Sequence, residues 1–199
     1  MKWLWRKIKG LFVKKKSTRK PDVVTEIEET ETAEVTTPIS GFKKFKTNAL
    51  GIILITRFEG FYANPYLCPA NVPTIGYGTI VYPSGVKVKL SDPPCNKEQA
   101  SKWLEWELRD KERKLNRFLN VNNVKVTANQ FSALMSFAYN LGIGRVVNGS
   151  ISLALIDNDM NKVALLMSKY NKAKNRWGIL RELRGLTRRR KAEIQLFNE

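Results

Sequence analysis

Residues 57–79 read RFEGFYANPYLCPANVPTIGYGT, and this stretch restricts the architecture more than any other part of the chain. Ahead of it, Leu50, Ile53, Leu54 and Phe58 recur at three- and four-residue steps, the period of an amphipathic helix. Gly60 interrupts that helix, so Glu59 is expected at or near a helix C-terminus. The negative end of the helix dipole disfavours a second negative charge there, and a carboxyl so placed tends to hold its proton. Asn64-Pro65 and the segment from Pro69 to Pro73 carry turn signals, and the stretch after Glu59 is expected as loop. Thr74 to Thr79 then alternates, with glycines that suit a tight hairpin. Thr74–Gly78 and Val81–Leu90 are predicted as short antiparallel strands turned by Pro83-Ser84-Gly85, with Val86, Val88 and Leu90 alternating against Lys87 and Lys89.

Downstream the pattern is helical. Asn96 with Gln99 three residues on is a capping box, and Ala100, Trp103, Leu104, Leu108 and Leu115 carry an amphipathic helix to about Leu119. Thr127 and Gln130 form a second box, opening an apolar helix that runs through Phe131, Leu134, Met135, Ala138 and Leu141 and ends at Gly142. Further helices are predicted over Ser150–Ile156, Asn161–Lys172 and Thr187–Phe197. The last is unusual: Arg188, Arg189, Arg190 and Lys191 crowd its first turns, where the dipole prefers anions. Something negative should lie nearby, through internal salt bridges, an acidic substrate or Glu59.

Three blocks, Glu59 to Gly78, Asn129 to Gly142 and Gly185 to Glu193, together resemble the phage-type lysozymes, glycoside hydrolase family 24. The signature of that family is a Glu, eight intervening residues, an Asp or Cys, five more, and a Thr; here Glu59, Cys68 and Thr74 fill those positions. The resemblance covers Thr47 to the C-terminus. It implies an α+β lysozyme-like fold, with a small antiparallel β lobe and a larger helical lobe joined by a long helix. It further implies hydrolysis of the β-1,4 bond between N-acetylmuramic acid and N-acetylglucosamine in peptidoglycan, without metal or organic cofactor, for host-cell lysis by a phage. By the same resemblance Glu59 is the proton donor, Thr74 positions the attacking water and Arg189 approaches the acid. Cys68 can orient water as a base or attack the anomeric carbon as a thiolate, and does little as a thiol.

The residues alone exclude other chemistry. With no histidine in 199 residues, Ser-His-Asp and Cys-His catalysis and His-ligated metal sites are ruled out. Two cysteines, Cys68 and Cys95, are too few for a thiolate zinc site or a disulfide scaffold and suit free thiols made in a reducing cytoplasm, which the resemblance to phage lysozymes implies is the host cytoplasm before release to the cell wall. A net charge of +17 implies a polyanionic partner.

Residues 1–20 place Leu4, Ile8, Leu11 and Phe12 on one helical face with cations elsewhere, a pattern that fits an anionic membrane interface or lipopolysaccharide, a helix docked on its own domain, or an unstructured basic tail. They lack a signal-peptide core, and no window matches a membrane span. Residues 21–46 read as an acidic then basic linker, and 47–199 as the catalytic domain of a monomer. The competing readings are a cationic membrane-disrupting or envelope-binding protein on an inactive lysozyme scaffold, and a nucleic-acid binder. No nucleic-acid-binding motif is recognised, and no such partner is expected.

Overall fold

The computed structural model describes residues 43–199 other than 69, 175 and 176. The expectations for residues 1–20, and for the linker up to residue 42, lie outside the described residues.

The chain is pinned before its first helix begins. Phe45 stacks on Phe131 at 5.3 Å between ring centroids, and its backbone exchanges two 2.8 Å hydrogen bonds with the side chain of Asn116. The Thr47 N–H and hydroxyl then donate to one Glu112 oxygen at 2.8 and 2.7 Å. Helix α1 spans Ala49–Glu59, capped by Asn48, and stops at Gly60, whose φ of 76° few residues other than glycine tolerate. Its buried face matches the apolar stripe read from sequence only in part: Leu54 is buried and Phe58 packs against the core. Leu50 and Ile53 are 47% and 60% exposed, whereas Gly51, Leu54 and Ile55 are buried. Gly51 is the cause: a β-carbon there would lie 2.7 Å from Thr47 Cγ2 and 2.8 Å from Ser132 Cβ, so helices cross most closely where no side chain intervenes.

The β lobe differs from expectation in its pairing. Strand β1, Tyr62–Leu67, lies in the stretch read as loop, and it pairs antiparallel with β2, Pro73–Gly76. Tyr66 sits opposite Thr74 and Tyr62 opposite Gly76, with the register shifting between them. Pro65, which has no N–H to give a ladder, falls in that irregular stretch. Val81–Leu90 is not a strand. It makes one bridge, Val81 to Lys87, and Val88 is buried while Val86 and Leu90 face solvent. What organises it is Asp92, which accepts from the Tyr82 hydroxyl and the Lys89 N–H at 2.8 Å each.

Both capping boxes form, opening α2 at Lys97–Val121 and α3 at Ala128–Leu141. Every residue from Phe131 to Ala138 is buried, because α3 runs through the middle of the helical lobe. Around it come α4 (Gly144–Val147), α5 (Ser150–Ile156), α6 (Met160–Ser168) and α7 (Arg184–Asn198). Helix α6 ends four residues before its predicted boundary at Lys172. The chain instead forms an unforeseen hairpin of β3 (Lys172–Lys174) and β4 (Leu180–Glu182), and α7 begins three residues ahead of Thr187. Among the described residues no helix is long and apolar enough to cross a membrane. The long α2 between a small two-stranded lobe and a helical lobe is the expected α+β lysozyme-like architecture.

Candidate active site

Glu59 is the last residue of α1, and its side chain is 2% exposed. From α7, one turn and a half in, Arg189 reaches across and its Nη1 donates to Glu59 Oε1 at 2.7 Å. The same guanidinium gives Nε to Glu193 Oε1 at 3.0 Å and Nη2 to the Ser136 carbonyl at 3.2 Å, and its carbon lies 5.6 Å from the Phe58 ring centroid. Three directions of attachment leave it one orientation.

Glu193 is itself held from several sides. It accepts the Ser136 hydroxyl at 2.8 Å and Arg190 Nη2 at 3.0 Å on Oε1, and Arg190 Nε lies 2.8 Å from Oε2. Arg190 also donates to Asn140 Oδ1 at 3.0 Å and stacks 4.7 Å over the Phe137 ring, a cation–π contact that serves the part of the guanidinium without a hydrogen bond. Two arginines and two glutamates therefore share one buried cluster, in which each guanidinium has an acidic side chain within 3.0 Å. Burial works against the Arg189 cation, but Glu59 and Glu193 outweigh it and hold its pKa above the ordinary arginine value. Burial pushes Arg190 down to about 10, with Glu193 pulling the other way, and it stays charged at neutral pH. The crowding of cations in α7 is thus met both by internal ion pairs and by contact with Glu59, while Arg188 and Lys191 face solvent.

On the β side, Cys68 follows β1 and is buried, its N–H donating to the Val72 carbonyl at 3.0 Å. Thr74, on β2, is also buried, and its hydroxyl donates to the Val72 carbonyl at 2.9 Å. Tyr66 connects the two sides. It faces Thr74 across the ladder, and burial first, then the negative charge available on Tyr62, Cys68 and Glu59, pushes its hydroxyl up to about 12. Glu59 and Cys68 thus lie within electrostatic reach of one phenol. Sequence reading missed Tyr66 because β1 was read as loop; as a strand, the two-residue spacing to Cys68 would have placed both on one face. It assigned no role to Glu193, although positions three and four residues beyond Arg190 and Arg189 share a helix face with them.

Tyr139, on α3, lies near the acid as well. Its hydroxyl is 3.3 Å from both the Tyr77 carbonyl and Glu107 Oε2, and burial, then the charges of Glu107 and Glu59, raise its pKa well above that of a free phenol. Cys68 and Cys95 are both buried, and no disulfide joins them. Cys95 sits beside Tyr62 and Ala63 at one end of β1 and Cys68 beyond the other end. Five residues of strand at about 3.3 Å each exceed the ~7 Å that a disulfide spans. Among the described residues no cluster of Cys, Asp and Glu could hold a metal ion.

A profile of the phage lysozyme family matches residues 56–193, a span that contains every residue of the buried cluster. The chain is 30% identical over 147 residues to the endolysin of Acyrthosiphon pisum secondary endosymbiont phage 1, covering 74% of this chain and 94% of that one. It is 34% identical over 151 residues to the endolysin of Bacillus phage B103, where it covers 74% of this chain and spans about half, 52%, of the relative. Among solved structures, the endolysin from Escherichia coli O157:H7 phage FAHEc1 superposes with a TM-score of 0.70 at 28% identity, covering 79% of this chain and 96% of that one. The muramidase domain of SpmX from Asticaccaulis excentricus gives 0.65 at 27% identity, covering 78% and 99%.

Proposed function

The chain belongs to the phage lysozyme family, and from that premise we propose that it is a glycosidase that cuts the β-1,4 bond between N-acetylmuramic acid and N-acetylglucosamine in peptidoglycan, serving host-cell lysis by a phage. The observation that carries the reading is the placing of Glu59: a carboxyl at the end of α1, aimed by an arginine that is itself fixed by Glu193 and Ser136.

In the reaction, Glu59 in its acid form gives its proton to the glycosidic oxygen as the bond from that oxygen to the anomeric carbon breaks. Arg189 acts through Glu59, holding Oε1 so that the acid meets the leaving oxygen in one orientation. A water oxygen then bonds to the anomeric carbon and yields its proton to Cys68 as thiolate. The Thr74 hydroxyl spends its hydrogen on the Val72 carbonyl, so toward water it offers lone pairs and accepts a hydrogen bond from the O–H that the attacking molecule keeps. That steers the water's own lone pair away from Thr74. Thr74, Cys68 and the Glu59 side chain are all buried.

The protein acts as a monomer, made in the host cytoplasm and released to the wall, and its cationic surface raises the encounter rate with the carboxylates of the peptide stems. Residues 1–20, with Leu4, Ile8, Leu11 and Phe12 at helical spacing among cations, contact anionic lipid or lipopolysaccharide. The deciding experiment is reducing-sugar release from purified peptidoglycan by wild type and Glu59→Gln. Loss of about 10²–10⁴-fold in a folded variant is expected, since an amide has no proton to give. Release at the wild-type rate would remove Glu59 from the chemistry, and killing that persists without sugar release would favour a membrane-disrupting protein.

A further inference from the structure

Strand β1 is irregular where it borders the site. Tyr62 and Tyr66 are four residues apart, yet their partners on β2, Gly76 and Thr74, are two apart, so β1 carries two surplus residues between them. In a regular ribbon a four-residue step would separate the tyrosines by about 13 Å, and the surplus sets them opposite positions about half that far apart. Their rings pack together at 4.4 Å between centroids, tilted by 37°. Tyr66 is the inner member, half-buried and opposite Thr74. Tyr62 is the outer one, 36% exposed, and its ring passes beside the residue that follows Glu59: a β-carbon on Gly60 would lie 3.8 Å from Tyr62 Cε2. This stretch is also uncharged. In a chain of net charge +17, residues 60–68 include no Lys, Arg, Asp or Glu, and Asn64, between the two tyrosines in sequence, is an exposed amide.

We propose that the Tyr62 ring is the stacking platform of a sugar subsite beside the catalytic acid, and that the sugar it takes is N-acetylglucosamine. This rests on the glycosidase reading and adds to it a residue that grips the glycan away from the reacting atoms. A pyranose has an apolar face of C–H groups and a polar rim; an exposed aromatic ring matches the face, and an amide such as that of Asn64 suits the rim. A glycan whose bond breaks at Glu59 passes Gly60, and Tyr62 lies against that glycine. The lack of charge selects among the parts of the substrate. Peptide stems on N-acetylmuramic acid carry carboxylates, which a Lys or Arg would meet, whereas N-acetylglucosamine is neutral and suits an uncharged surface. Tyr66 backs the platform: a ring already packed against another has less rotamer freedom to lose when the sugar binds.

The test uses the full-length protein in two measurements: reducing-sugar release from soluble peptidoglycan fragments, and binding of a peptide-free N-acetylglucosamine oligomer in a Glu59→Gln background, which keeps the oligomer intact. Tyr62→Ala and Tyr62→Leu are expected to raise KM about five- to tenfold with kcat within about twofold of wild type, and to weaken oligomer binding by a similar factor, the size that one aromatic contact gives. Leucine keeps apolar bulk against Tyr66, so it reads the loss of the ring even where alanine disturbs the fold. Tyr62→Phe keeps the ring and should match wild type in both measurements. An unchanged KM in the alanine and leucine variants, beside a wild type that cleaves, overturns the subsite alone. A phenylalanine variant as weak as alanine also overturns it, and so does a raised KM on stem-bearing fragments with oligomer binding unchanged, which assigns Tyr62 to the peptide. A wild type that neither releases sugar nor binds the oligomer fails the glycosidase reading and takes the subsite with it.

Discussion

The two halves of the candidate site are built in opposite ways. On the helical side, Glu59, Arg189, Glu193 and Arg190 join α1 and α7 through side-chain bonds of 2.7–3.0 Å, with Ser136 of α3 adding one of 2.8 Å. On the β side, Cys68 and Thr74 sit on a two-stranded ladder, with the Cys68 N–H and the Thr74 hydroxyl both donating to the Val72 carbonyl. The lesson is that the proposed proton donor is held by several side chains, whereas the residues proposed to handle water rest on a short ribbon. Changes on the helical side should therefore damage fold and turnover together, and changes on the β side should damage turnover alone.

The largest effect should come from Glu193→Ala, which takes the carboxylate partner from buried Arg190 and leaves Arg189 paired with Glu59 alone. A loss of about 3–5 kcal/mol is expected, lowering the melting temperature on the order of 10 °C, together with falling turnover as Arg189 loses its brace. A melting temperature within a degree or so of wild type would show that packing and not charge pairing holds the junction. Next is Cys68. Cys68→Ala should lose about 10²-fold in turnover or more, while Cys68→Asp, ionised at neutral pH, should keep much of the wild-type rate. Full turnover in the alanine variant would reduce Cys68 to packing, and a melting temperature that collapses in either variant would erase the contrast between the halves.

A smaller loss is expected from Gly51→Ala, where the added methyl meets the Thr47 and Ser132 side chains at 2.7 and 2.8 Å. Overpacking there should cost about 1–3 kcal/mol in a thermal or denaturant melt. Equal stability would mean that α1 and α3 can move apart freely, against the idea of a rigid helical side.

The smallest effect is pH-dependent and belongs to the β lobe. The Lys89 N–H, then the Tyr82 hydroxyl, hold the Asp92 carboxyl below the ordinary aspartate value of 3.8. A depressed pKa in the folded state means stability that is fully present above the unfolded value and lost as pH falls through the folded one. Acidification below about pH 4 should therefore speed amide exchange at Lys89 before it speeds exchange in α3. Asp92→Asn should abolish that step, and an acid response unchanged in the variant would disconnect Asp92 from the lobe.

Legibility from sequence follows the same division. The starts of α2 and α3 and the stop of α1 were readable because Asn96 with Gln99, Thr127 with Gln130, and Glu59 with Gly60 act within four residues of one another. Strand β1 was hidden because Pro65 and the neighbouring turn residues argue locally against a strand, and only pairing with β2 overrides them. The buried face of α1 was partly misplaced because Leu50 and Ile53 look like core until the crossing at Gly51 turns them outward.

By itself the sequence determined the starts of α2 and α3 and the stop of α1, the absence of histidine chemistry, and the spacing of Glu59, Cys68 and Thr74 that resembles the phage lysozymes. Only the tertiary structure decided which charge meets which. Glu59 and Arg189 are 130 residues apart, and their 2.7 Å contact exists because α1 and α7 both pack against α3. Capping depends on bonds that form inside one turn of helix, and a local pattern can therefore report it. A buried ion pair depends on desolvation and on the angles at which distant helices cross, and neither is written in the residues next to it.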